Sequence, residues 1–128
     1  MRGELVVRDI LRQALPDVEV TNEGLPPRSI SGSPFVFVSG AGGSATHPTR
    51  VEQPVVSVVI YGRGDVGSLA DEVTAVLLSA WETGTSTEHG YLSRFTIQTL
   101  PYEQAIAGIP AGVRRYFAQY GISIRPPL

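Results

Sequence analysis

The stretch from Pro54 to Gly84 constrains this chain more than any other: PVVSVVIYGRGDVGSLADEVTAVLLSAWETG. Its first part, Val55 to Tyr61, is β-branched and apolar except for Ser57. A strand with one wet face alternates apolar and polar residues, so this run predicts burial on both faces. Pro54 suits the start of a strand, where a missing N–H costs no ladder bond. The second part places Val66, Leu69, Ala70, Val73, Val76, Leu77, Ala80 and Trp81 on one helical face, with Ser68, Asp71, Glu72, Ala75, Ser79 and Glu82 opposite. Asp65 is the expected N-cap and Gly84 the expected stop. Trp81, as part of the apolar face, is expected in the core.

A strand–turn–helix unit needs partners for both faces, and the flanking sequence supplies them. Residues 4 to 15 carry Leu5, Val6, Ile10, Leu11 and Leu15 at helical spacing, ended by Pro16. Short strands are predicted at Val18 to Thr21 and at Phe35 to Ser39, with an irregular connector from Leu25 to Ser33. Gly40 to Gln53 is glycine-rich and then polar, which predicts a fourteen-residue loop between two strands. Past the central helix, a polar link (Thr85 to Gly90) leads to a strand at Leu92 to Leu100. A second Pro/Gly loop, Pro101 to Gly112, precedes a last strand from Val113 to Arg125, where Tyr116, Ala118, Tyr120, Ile122 and Ile124 alternate with polar neighbours. The pattern predicts an α+β, two-layer domain spanning residues 1–128. Its sheet is mainly antiparallel, of about four to five strands, with two helices on one face. The other face is left to be solvated, lined by polar groups or covered by another subunit.

Composition narrows the chemistry. Of 128 residues, 42% are hydrophobic and 17% charged, the balance of a folded chain with a charge-poor surface. The net charge of −2 argues against a protein that holds nucleic acid electrostatically. There is no cysteine, which removes disulfides, thiolate nucleophiles and thiolate metal sites. All ten basic residues are arginine, which removes lysine-based mechanisms. No signal-peptide h-region and no 18-residue apolar run occur, so no membrane association and a cytoplasmic site of synthesis are expected.

Candidate chemical motifs are few. Gly40-Ala41-Gly42-Gly43-Ser44-Ala45 has dinucleotide-fingerprint spacing, but that motif needs a helix to start at once, and Thr46-His47-Pro48-Thr49 follows instead. Arg63-Gly64-Asp65 matches an adhesion tripeptide, yet a glycine turn and an N-cap explain it fully. His47 and His89 lie in different predicted loops without metal-ligand spacing. Glu88 next to His89 forms a conceivable acid/base pair, but such residues usually act as solvated spacers. Arg114-Arg115 puts one guanidinium on each face of the last strand, for an ion pair or for a partner. No catalytic residue, cofactor or metal is expected.

Several local patterns together resemble the tail terminator (tail completion) proteins of long-tailed bacteriophages, in the form carried by phages of GC-rich actinobacteria. They are the opening helix Val6–Leu15, the segment Ser33-Pro34-Phe35-Val36-Phe37-Val38, and the glycine-rich Gly40–Ser44. They continue with a V-x-x-P-x-V-x-V-x-x-[YW]-[GA] run at Val51–Gly62, the helix Leu69–Trp81, and an R-[RY]-x-x-x-x-Y-x-[IV]-x-[IV]-R strand at Arg114–Arg125. The resemblance implies a structural virion protein: a homohexameric ring that caps the tail tube, stops its polymerisation and docks the head–tail connector, or stopper. Genomic DNA would pass through the lumen without sequence-specific binding. The protein would be assembled in the host cytoplasm and reside at the head-proximal end of the virion tail. In that setting the two long loops are the arms that reach neighbours. Gly42, Gly43, His47, Arg50 and Glu52, with Arg114 and Arg115, are the candidate inter-subunit or partner contacts. Another neck or head-completion protein, a component of a related contractile or secretion apparatus, or a small nucleotide- or metal-binding enzyme are the alternatives.

Overall fold

A computed structural model describes residues 3–23, 34–44, 53–105 and 112–127. The elements run α1 (Gly3–Ala14), β1 (Glu19–Thr21), β2 (Phe35–Ser44), β3 (Gln53–Arg63), α2 (Val66–Thr83), β4 (Tyr91–Gln104) and β5 (Val113–Arg125). The strands form one mixed sheet in the order β1-β2-β3-β5-β4. Only β1 and β2 are parallel; the other pairs are antiparallel. The fold is α+β.

The apolar run of β3 lies in the middle of this sheet. Every residue from Val56 to Tyr61 is buried, Ser57 included. Alternation along the strands sorts the core into two clusters. Val36, Val38, Val56, Val58, Ile60, Ala118, Tyr120 and Ile122 turn toward the helices, where they pack with Val6, Val7, Ile10 and Leu11 of α1 and with Val66, Ala70, Val73 and Leu77 of α2. Both helices therefore seal the same face of the sheet. Phe35, Val59 and Tyr61, the odd-numbered residues between them, form a smaller cluster on the far face with Phe37, Val113 and Phe117.

Local chemistry fixes α2 at both ends. The Asp65 carboxylate accepts hydrogen bonds from the Ser68 amide at 3.1 Å and the Ser68 hydroxyl at 2.6 Å. Those two bonds hold its carboxyl below the usual range. Gly84 is left-handed at φ 66°, and the Thr85 amide reaches back to the Ala80 carbonyl at 3.0 Å. Eighteen residues make a helix about 27 Å long.

Three expectations change. The glycine-rich segment is not loop: Gly40 pairs with Val56, Gly43 with Pro54 and Ser44 with Gln53, so strands β2 and β3 extend into the predicted fourteen-residue connection. Likewise β4 runs on through Pro101 to Gln104, well past Leu100. Turn-prone residues were absorbed here because antiparallel pairing satisfies their backbone groups and bulges take up the misfit. Trp81 is not core. It lies at the last turn of α2, 38% exposed, with its indole N–H donating to the Ser93 carbonyl of edge strand β4 at 3.3 Å. The connector 25–33 lies outside the described residues.

Candidate functional site

The far face of the sheet stands out as the least finished surface of the chain. Among the described residues no helix packs on it, and it divides into two halves. One half is apolar and aromatic: Phe35, Val59 and Tyr61 are buried, and Tyr102 meets Phe117 edge-on at 5.9 Å between centroids. The Arg115 guanidinium lies over the Tyr61 ring, 5.5 Å from its centroid. Its Nε–H is buried without an acceptor, as is Oε1 of Gln104, its partner in the ladder. The other half is polar. Gln119 donates to the Ser57 hydroxyl at 3.1 Å, and the Thr96 hydroxyl donates to the Gly121 carbonyl at 3.3 Å. Arg94 spreads across the strands, donating to the Ser123 hydroxyl at 3.0 Å and to the Ile122 carbonyl at 2.9 Å.

The long edge of the sheet is β4, and it is blunted. Its register with β5 slips between Leu92 and Arg94, between Ile97 and Thr99, and between Thr99 and Tyr102. Each slip is a bulge that twists the strand, and Pro101 removes one donor. Those are devices that discourage strand addition. Even so, Ile97, Leu100 and Tyr102 along this strand, with Leu78 and Trp81 on the neighbouring α2, are exposed large apolar groups.

The structure separates the residues expected to make contacts. Gly42 and Gly43 sit at the outer end of β2, where two residues, Ala41 and Gly42, oppose the single Val55 of β3 in a bulge. That geometry is strand, not the strand-to-helix turn of a dinucleotide loop, so the fingerprint reading of Gly40–Ala45 fails. His47, Arg50 and Glu52 lie outside the described residues. Arg114 and Arg115 do point to opposite faces, as the alternation predicts. Arg114 pairs with Gly62 in the ladder, and its Nε lies 3.7 Å from a Glu103 carboxylate oxygen. Both groups are about half exposed, so the pair adds little stability.

His89 is no solvated spacer, and Glu88 is not its partner. Its Nδ1 lies 2.6 Å from the Asp9 carboxylate, which also accepts two hydrogen bonds from Arg8; Arg8 in turn donates to Asn22. Burial works against the ionised form of Asp9, but the hydrogen bonds from His89 and Arg8 outweigh it and hold the carboxyl below its usual range. The cluster ties α1 to the turn before β4. Sequence reasoning missed it because its members stand 80 residues apart. Buried Thr87 shapes that turn, its hydroxyl donating to the Gly90 carbonyl and accepting from the His89 amide. Gly90 is obligatory here: at φ 132°, a Cβ would collide with the Arg125 carbonyl oxygen.

Enzyme-like features are sparse. A groove of about 390 Å3 runs between the helices, lined by Ile10, Gln13, Ala14, Ala75, Val76 and Ser79 among others, with no charged group converging on it. Among the described residues no three His, Asp or Glu side chains are placed to hold a metal. No helix among them is long and apolar enough to cross a membrane. No protein-family description matches the chain. No curated protein proves similar to it either.

Proposed function

We propose that this chain is a structural subunit of a phage head–tail junction, of the tail terminator kind. It would act as a homohexameric ring that caps the tail tube, halts its growth and offers the docking surface for the head–tail connector, at the head-proximal end of the tail. In this reading it is an assembly protein, not an enzyme. The observation that carries the proposal is the unfinished face of the sheet. One side is sealed by two helices; on the other, beside the buried cluster of Phe35, Val59 and Tyr61, partly exposed aromatic, polar and cationic groups carry no covering helix among the described residues. A head-to-tail contact repeated six times covers such a face in every subunit and closes on itself. The exposed Leu78, Trp81, Ile97, Leu100 and Tyr102 support the same reading, since apolar side chains at one border of a domain mark surfaces meant to be covered. So does the order of elements, which follows the family the sequence resembles.

Electron microscopy and mass photometry test the proposal, using the purified chain alone and mixed with the tail tube protein of the same virion. Six-subunit rings, free or seated on tube ends, are expected, together with tubes of limited length. A chain that stays monomeric in both conditions and leaves tube growth unchanged would overturn the reading.

A further inference from the structure

The outer face of α2 and the far face of the sheet carry opposite charge. Helix α2 bears Asp71, Glu72 and Glu82 and not one basic residue. All three carboxylates are exposed, and none makes an ion pair among the described residues. Glu82 stands in the last turn, where the helix dipole already disfavours an anion. On the far face, the described residues of β2 to β5 include no carboxylate, and Glu19 of the short edge strand β1, opposite Phe35, is the one acid among the described residues there. Arg63, Arg94, Arg115 and Arg125 outnumber it. Arg94 donates its hydrogen bonds to neutral oxygens, of Ser123, Thr96 and Ile122. Arg115 has a ring beneath it and an unanswered Nε–H.

We infer that the acidic outer face of α2 in one copy of this chain covers the arginine-bearing far face of the sheet in the next copy. Charge complementarity selects a second copy as the occupant, and the same contact covers Leu78 and Trp81, both exposed on α2. The two surfaces differ, so the contact is head-to-tail. It makes a ring where each step turns the next copy by about 60°, and a filament where it does not. Pairing through the sheet edges is the weaker route. The long edge, β4, is bulged at three places and carries Pro101, and the opposite edge strand, β1, has only three residues. This inference rests on the ring reading and names the surfaces that make the ring.

Charge reversal tests it, with the full chain at several concentrations in analytical ultracentrifugation, alone and on tube protein. The acidic-face variant is Asp71→Arg with Glu82→Arg. The sheet-face variant is Arg125→Glu, chosen over Arg94 because losing the interstrand bonds of Arg94 would be mistaken for loss of the contact. Circular dichroism confirms folding in each. The acidic-face variant and Arg125→Glu should each associate at least about tenfold more weakly, and added salt should weaken the wild type. A chain carrying both Asp71→Arg with Glu82→Arg and Arg125→Glu should recover association. Wild-type rings that ignore every one of these changes would overturn the inference and leave the proposed function standing. A strict monomer under both conditions would overturn the two together. Far-face binding of random-sequence duplex DNA that Arg125→Glu abolishes, without any self-association, would replace the second copy by nucleic acid and also overturn it.

Discussion

The two faces of this sheet are built from the same strands, residue by residue in alternation, yet they have different fates. On the helix side, Val58, Ile60, Ala118, Tyr120 and Ile122 are at most barely accessible, because α1 and α2 cover them. On the far side, Phe35, Val59 and Tyr61 are buried but Phe37, Val113 and Phe117 around them only partly so, and the other half of that face is a mesh of serine, threonine, glutamine and arginine. The difference teaches that the larger core lies on the helix side, while the far side combines a small buried cluster with an exposed polar half. Substitutions in the helix-side core should cost most stability, and substitutions at the partly exposed positions of the far side should cost less.

The largest expected effect comes from a matched pair. Phe95→Ala removes a ring that is 5% exposed and stacks on Tyr120 at 5.3 Å, and it should cost about 3–4 kcal/mol in urea unfolding. Phe117→Ala makes the same chemical change on the far face and should cost about 2 kcal/mol or less, because water already reaches that ring. Equal costs would break the comparison. Next comes Trp81→Ala, at about 1 kcal/mol, since the residue is more than a third exposed and holds one long hydrogen bond.

Smaller still, Tyr120→Phe sharpens the account of the helix side. The Tyr120 hydroxyl is 2.6 Å from the Thr74 hydroxyl, and burial pushes its pKa up to about 12. Its folded value lies above the ordinary value of 10.0, so its contribution is complete below pH 10.0 and drains away as pH rises toward about 12. Tyr120→Phe should lose about 1 kcal/mol at neutral pH and show a flatter alkaline limb over that window. Asp9 has the opposite sign. Its carboxyl is depressed in the folded chain, so its contribution is present above the ordinary value of 3.8 and is lost as pH falls through the depressed one. Asp9→Asn should therefore lower the melting temperature at pH 7, and the gap from wild type should close in strong acid. A gap that stays constant with pH would show that the Arg8–Asp9–His89 cluster is not the source.

Much of the fold was legible because periodicity reports burial directly. The double-sided apolar run of β3, the caps at Asp65 and Gly84, and the alternation of β5 all read through to the structure. Glycine and proline misled in two places. Gly40–Ser44 and Pro101–Gln104 look like loops by residue type, but a strand partner alongside can absorb them with bulges, and no local rule reveals that partner. Trp81 misled for a geometric reason: the helical period marks it as inward, while the last turn of α2 sits over edge strand β4, where inward no longer means covered. The Asp9–His89 contact and the opposed charges of the two faces depend on chain crossing, which a linear sequence does not display. The candidate contact residues divided accordingly. Arg114 and Arg115 took opposite faces as read from alternation, Gly42 fell in a bulge and Gly43 paired with Pro54 in the ladder, and His47, Arg50 and Glu52 lie beyond the described residues.

The absence of cysteine allows the central claim to be read directly. A single thiol introduced as Thr96→Cys stands on the far face, and one introduced as Glu88→Cys stands in the exposed turn before β4. Thiol-labelling rates measured across a protein concentration series should fall for Thr96→Cys as copies cover that face, and stay constant for Glu88→Cys. Equal and concentration-independent labelling at both positions, alone and with tube protein, would show that the far face stays bare and would contradict the account.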